Sequence, residues 1–262
     1  MGIKNSYTKA EVESMIVVGG PMVGALKAQM YVAGASAVAT LAAVEVVVQD
    51  IGGKSYRLKD FSQIVNLTSV VKGLGAMDVG AAPVSGYVAL YALYNPTANL
   101  RSLMAVNATL VIAPTLCAGV MPEGYTASAF LTVVPTDESG LFKPVLVEGR
   151  QVTFNAIAAY GGNSALAVIP LSLAGAVPLN AVEVEGFFSV SSSANGTISF
   201  DVYATETGLG LKRNTASVIG GGTNSQNFEK LPIVTPQRVY LSTSNSTGGV
   251  PSYTLNINGY RV

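Results

Sequence analysis

Two glutamates, one cysteine, one glycine triplet and one amide-rich stretch are the places in this chain of 262 residues where chemistry could reside. In Val182-Glu183-Val184-Glu185, a strand would set both carboxylates on one face. Glycosidases use two such groups about 5–9 Å apart. A solvated strand face, with Val182 and Val184 turned inward, is the stronger reading. Histidine is absent, so neither a Ser-His-Asp triad nor a His-ligated zinc site can form on this chain. Cys117 stands alone, cannot close an intrachain disulfide, and reads as a buried small hydrophobe. Gly220-Gly221-Gly222 is followed by no Lys-Ser/Thr pair, which rejects a phosphate-binding P-loop. These residues predict no enzyme, no catalytic residue and no metal site.

The amide-rich stretch, residues 214–229, is polar and glycine-rich and reads as a long surface loop. Asn224, Gln226 and Asn227 each donate and accept hydrogen bonds, and Phe228 could pack on a sugar face. These four residues are the candidate receptor or glycan contact. Gly220 to Gly222 would let the backbone take positive φ and approach a ligand closely. The competing reading is a flexible or subunit-contact loop.

The elements that must position these residues are mostly short strands. One helix is expected first. Thr8-Lys9-Ala10-Glu11 matches the capping box, Val12, Met15 and Ile16 share a face, and Gly19-Gly20-Pro21 ends it. So short a helix is marginal alone in water and needs a partner. From residue 25 the pattern is β. Residues 56–58, 64–67, 103–108, 129–134, 144–147 and 150–154 are short apolar runs between turn residues. Residues 87–94 are apolar on both faces, as in a central or interface strand. Residues 155–163 read as a connector. In 197–205, Ile198, Phe200, Val202 and Ala204 alternate with polar residues, the period of a half-buried strand. Its expected partner is 187–191, joined through a hairpin at Asn195-Gly196. Val239 and Leu241, then Tyr253, Leu255 and Ile257, alternate in the same way.

The predicted architecture is therefore mainly β: two β-sandwich, jelly-roll-like domains after a short N-terminal helix. The boundaries are 1–24 for an attachment helix and linker, 25–154 for the first sandwich, 155–163 for the connector, and 164–262 for a distal sandwich.

Charged residues make up only 11% of the chain, against about 25% in a typical soluble domain. Fifteen acids balance fifteen bases and mean hydropathy is +0.43. A chain so poor in charge is expected to cover its surface with copies of itself or to enter a membrane. The most apolar run, residues 28–44, carries Gln29, Gly34, Ser36 and Thr40 and reads as strand rather than as a spanning helix. The first residues lack the apolar core of a secretory signal. Zero net charge without a basic cluster argues against nucleic acid as a partner.

Two segments carry a resemblance. Ser6-Tyr7-Thr8-Lys9-Ala10-Glu11-Val12 resembles a short Tyr-[Thr/Ser]-Lys-x-Glu-Val segment of tailed-bacteriophage tail fibres. Residues 232–262, with Pro236-Gln237-Arg238-Val239-Tyr240, a glycine-rich turn and a final strand bearing Tyr, resemble the terminal β-domain of such fibres. The resemblance implies a homotrimer on the virion tail, host-surface recognition by the distal domain, and no cofactor. It implies that the N-terminus meets other tail or baseplate proteins and that the distal domain meets host surface polysaccharide. The alternative is a structural virion component, such as a neck, collar or capsid decoration protein, without a receptor of its own. A polysaccharide-cleaving tailspike is disfavoured, because neither a convincing acid pair nor a long β-helix pattern is present.

Overall fold

Alternating apolar residues without helical periodicity build strands, and the computed structural model, which describes residues 23–262, has no helix among them. The N-terminal helix expected before Gly19 lies outside the described residues. The first half holds β1 (Gly24–Leu26), β2 (Gln29–Val32), β3 (Val38–Asp50), β4 (Ser55–Asn66), β5 (Tyr87–Asn95), β6 (Leu100–Asn107), β7 (Ala127–Pro135) and β8 (Val145–Glu148). The second holds β9 (Gln151–Gly162), β10 (Leu166–Ser172), β11 (Glu183–Ser192), β12 (Gly196–Tyr203), β13 (Lys212–Val218), β14 (Thr223–Pro232), β15 (Arg238–Asn245) and β16 (Pro251–Arg261).

The second half is an eight-stranded jelly roll. One layer runs β9-β16-β11-β14 and the other β10-β15-β12-β13. Strands leave and re-enter the two layers in the order that defines two Greek keys. The alternation read from the sequence supplies its core. Ile198, Phe200 and Val202 of β12 are fully buried, as are Tyr253 and Leu255 of β16. Phe200 is the centre of an aromatic cluster. Its ring lies 5.7 Å from Phe188, 5.7 Å from Tyr160 and 5.8 Å from Tyr253, all on the opposite layer. Edge-to-face and tilted rings at this spacing are favourable beyond the area they bury.

The hairpin expected between 187–191 and 197–205 does not form. β11 pairs with β14 and β16, while β12 pairs with β13 and β15. The Asn195-Gly196 turn instead carries the chain from one layer to the other, with Gly196 at φ +142°. Phe188 and Phe200 meet edge to face across the core, not side by side along a ladder.

The first half is organised on β3. This strand pairs with β4 along most of its length, with β2 and β1 on its other side, and with β7 at Gln49↔Ser128 and Asp50↔Ala127. β7, β5 and β6 form a second layer, and Arg101 on β6 donates to the Lys59 carbonyl of β4 at 2.5 Å. β5 is the doubly apolar strand seen in the sequence. It lies between β6 and β7, and Tyr87 to Leu93 are buried within the chain on both faces. It is a central strand and is not available to a neighbouring subunit. The free edge of β6 is covered by the loop between β4 and β5, through Asp78 N–H to Ala105 C=O and Ala105 N–H to Ala76 C=O.

Residues 155–163, expected as a connector, are strand up to Gly162. β9 pairs with β8 at its start and with β16 along its length, so one twelve-stranded sheet passes through both halves. Two further contacts tie the halves. The Tyr260 hydroxyl donates to the buried Val133 carbonyl at 2.8 Å, and the Phe154 ring lies 5.6 Å from that of Tyr260.

Candidate functional site: a groove between two open strand edges

β13 and β14 end their respective sheets, so the jelly roll leaves two strand edges facing each other. The stretch expected as a loop is these two strands and the tight turn between them. Gly221 takes φ +80°, as a turn there needs. The turn is packed, not reaching outward: Gly221 N–H donates to Ser192 C=O and Gly220 N–H to the Asn195 side chain.

Asn214 joins the two edges. It is fully buried on β13, and its Nδ2 donates to the carbonyls of Phe188 (2.9 Å) and Asn224 (3.3 Å). Beyond this clamp the edges part into a groove of about 580 Å³. Leu211, Lys212 and Arg213 line one wall, and Gln226, Asn227, Glu229 and Lys230 the other. Phe188 and Phe228 form the floor, with rings edge-on at 5.5 Å. Arg213 is held by Asp201, directly opposite on β12, through Nε–Oδ1 at 2.8 Å and Nη2–Oδ2 at 2.7 Å. These hydrogen bonds push the guanidinium still further above its usual range. The Tyr203 hydroxyl braces the same carboxylate at 3.0 Å and lies 3.0 Å from the Ser242 hydroxyl.

The structure brings together three of the four residues expected from sequence. Gln226 and Asn227 are both exposed and both border the groove, but their side chains leave opposite faces of β14, Gln226 beside Phe188 and Asn227 beside Phe187. Phe228 is only 5% exposed and packs on Phe188, so it cannot lie flat on a sugar. Asn224 is exposed but sits at the clamp rather than on the groove wall, its carbonyl already taken by Asn214. Sequence reasoning missed Arg213, Lys212 and Lys230. An Asp on the polar face of β12 with an Arg twelve residues on was a readable signal, since a carboxylate left only 6% exposed needs a partner.

Glu183 and Glu185 fall into a neighbouring cleft of about 260 Å³ that shares Glu229 and Lys230 with the groove. They are not a matched pair. Glu183 faces Arg261 at 3.6 Å, while Glu185 lies across Gly259, where any Cβ would collide with its carboxylate. Val184 is buried as expected, but Val182 is exposed. Burial pushes the Glu185 carboxyl above its ordinary range, a hydrogen bond with Gln151 works against this, and the Glu229 charge adds to it. An acid with a raised folded-state pKa favours the fold below its unfolded value, about 4.3, and that contribution is lost as pH rises through the folded value. Glu185→Gln is therefore expected to raise the thermal midpoint near neutral pH and to leave it unchanged below about pH 4. Melting curves across pH test this; a lower midpoint at neutral pH would refute it.

Cys117 is partly buried, and burial pushes its thiol up to about 11, with the charge of Asp78 adding to the shift and a backbone hydrogen bond from Gly119 opposing it. A thiol so placed is a poor nucleophile. Among the described residues, no cluster of three or more His, Cys, Asp or Glu could hold a metal ion, and no helix is long and apolar enough to cross a membrane.

No family model matches the chain, and no curated protein matches it. Among solved structures it is similar to the structure of infectious bursal disease virus, Gt strain, at 12% identity over 92% of this chain and 72% of that one, with a TM-score of 0.23. The Gx strain structure aligns at 8% identity over 91% and 68%, with a TM-score of 0.20. Likenesses at these scores carry no argument about what the chain does.

Proposed function

We propose that this chain is a virion surface protein, carried in several copies, that adheres to host-cell saccharides through the β13–β14 groove. The observation that carries this reading is the groove itself. Exposed amides at Gln226 and Asn227 and the cationic residues Lys212 and Lys230 border it, on strands joined by the Asn214 side chain. Such a site suits hydroxyl-rich ligands, because amides can donate and accept toward neighbouring hydroxyls. The tail-fibre-like segment at Pro236 to Tyr240 opens β15, where Gln237 turns at φ +56° and its amide donates to Val177 C=O at 2.8 Å. Each site is expected to bind weakly, with linkage of copies raising avidity without new contacts.

The double variant Gln226→Ala/Asn227→Ala is expected to lose adsorption to host cells with an unchanged thermal midpoint. Both side chains are exposed, so their removal should not touch the core. Phe228→Ala should behave in the opposite way, lowering stability by about 3–5 kcal/mol. Unchanged adsorption by the double variant would reject the groove as the contact.

A second reading, a purely structural virion component, is favoured by the apolar surface. Val70 is 93% exposed, Leu110 is 87% exposed, and Val71, Val111 and Ile112 beside them are also exposed. Exposed apolar residues grouped in loops mark contacts with other chains. On either reading the chain should be an oligomer, for which a trimer is the expected state. Light scattering that finds only monomer at micromolar concentration would overturn it.

A further inference from the structure

The junction of the two halves holds another groove, of about 390 Å³, with walls from both. Ile112, Ala113 and Phe130 come from the first half, and Asn180, Val182 and Ile233 from the second. The Asn180 side chain accepts from Ala113 N–H at 2.8 Å and donates to Ala113 C=O at 2.9 Å, so the two walls are tied together. Ile233 N–H donates to Val182 C=O, which carries the β11–β14 ladder past the pair Val184↔Leu231. With a period of two, Val182 and Ile233 extend the face on which Val184 and Leu231 are fully buried. That core face therefore runs out into the groove, where Val182 is 51% exposed and Ile112 59%.

The start of the described chain lies at the same place. Among the described residues lining the groove, Arg150 alone has a charged side chain. Its guanidinium stands 5.5 Å from the centre of the Phe130 ring, and its Nη2 is 3.8 Å from where a Cβ on Gly24 would be. Residues 1–22 thus lead up to a wall of the groove. They contain the apolar run Met15-Ile16-Val17-Val18, followed by the turn formers Gly19-Gly20-Pro21. From Val18 to Gly24 the chain spans at most about 20 Å, enough to reach a groove that opens beside Gly24. Charge agrees as well: residues 10–22 hold Glu11 and Glu13 and no Lys or Arg, opposite a lining whose charge is Arg150. We propose that residues 15–18 seat in the groove of their own chain, against Ile112, Val182 and Ile233, and so fasten the two halves to each other. A second copy carries the same run. The short tether, however, holds a chain's own run at an effective concentration on the order of millimolar, which a separate copy does not match.

Two measurements on the full chain test this. In a Cys117→Ala background, Ile16→Cys is combined with Val182→Cys or, as a control, with Ile51→Cys. Ile51 is fully exposed just after β3, the strand whose Val47 pairs with Gly24, so it is near the same chain entry but outside the groove. Under mild oxidation the groove pair is expected to close an intrachain disulfide at least about tenfold faster than the control pair, read by mass spectrometry of unreduced peptides. Equal rates would overturn the proposal. Disulfides found only between chains would also overturn it, by placing the run in a neighbouring copy. The second measurement is thermal. Val182→Asn alters an exposed side chain and would do little if nothing lay over it. Docking predicts a midpoint lower by at least about 3 °C, and a similar fall for Met15→Ser/Ile16→Ser. Combining the two sets should add nothing further, because each removes the same contact. An unmoved midpoint, or full additivity of the two sets, would overturn the proposal.

Discussion

Phe200→Ala is expected to cost about 3–5 kcal/mol, enough to unfold a domain of ordinary stability. Phe200 is fully buried and is the ring on which Tyr160, Phe188 and Tyr253 converge. These partners come from β9, β11 and β16, so the truncation leaves a cavity between the layers that no single strand can close. Part of the cost is lost transfer energy and part is the unfilled volume. Denaturant titration followed by near-ultraviolet circular dichroism should show a lower midpoint. A shift of less than about 1 kcal/mol would mean that the layers collapse onto the gap and that the cluster is not what joins them.

Gly186→Ala should be nearly as damaging, for a reason that has nothing to do with cavities. Gly186 sits at the irregularity where β11 slips register against both β14 and β16. A Cβ there would collide with the Asn256 carbonyl, which is backbone and held in the central ladder. Relief requires moving β16, so the loss should reach about 3 kcal/mol, at the upper end for overpacking. Gly259→Ala is the internal control. The nearest atoms to its Cβ are Oε1, Cδ and Cγ of Glu185, all in one flexible side chain that can swing aside. That variant should lose about 1 kcal/mol or less. Equal losses in the two variants would show that side-chain and backbone obstruction are not distinguished here. Such a result would remove the explanation for the glycine at 186.

The strands were legible in the sequence where one face is buried and the other wet. β12 and β16 alternate because each is half of a sandwich, and Ile198, Phe200, Tyr253 and Leu255 were placed inward correctly. Pairing was not legible. A strand alternates identically whether its neighbour in sequence lies beside it or across the core, so β11 and β12 were joined as a hairpin when they belong to opposite layers. β14 was missed for the opposite reason. It overhangs the second layer, and Thr223 to Asn227 are exposed on both faces, which erases the period and leaves a composition that reads as loop. The groove was half legible. Gln226 and Asn227 declared themselves as exposed amides, but the cations across from them belong to β13, and only the crossing of the two layers brings that strand alongside.

The uninterrupted sheet has a mechanical consequence. β8 and β9 are consecutive rungs of one ladder, and Tyr260 anchors the C-terminal strand to β7. Paired strands run without a break from the β13–β14 groove through β11, β16, β9 and β8 into the first half. A pull on a ligand seated between β13 and β14 enters the frame through β11 and β16 and runs along hydrogen bonds in series into the first half. The chain would transmit torque as a lever does. In the proposed oligomer, copies would then share a load by tilting as whole bodies.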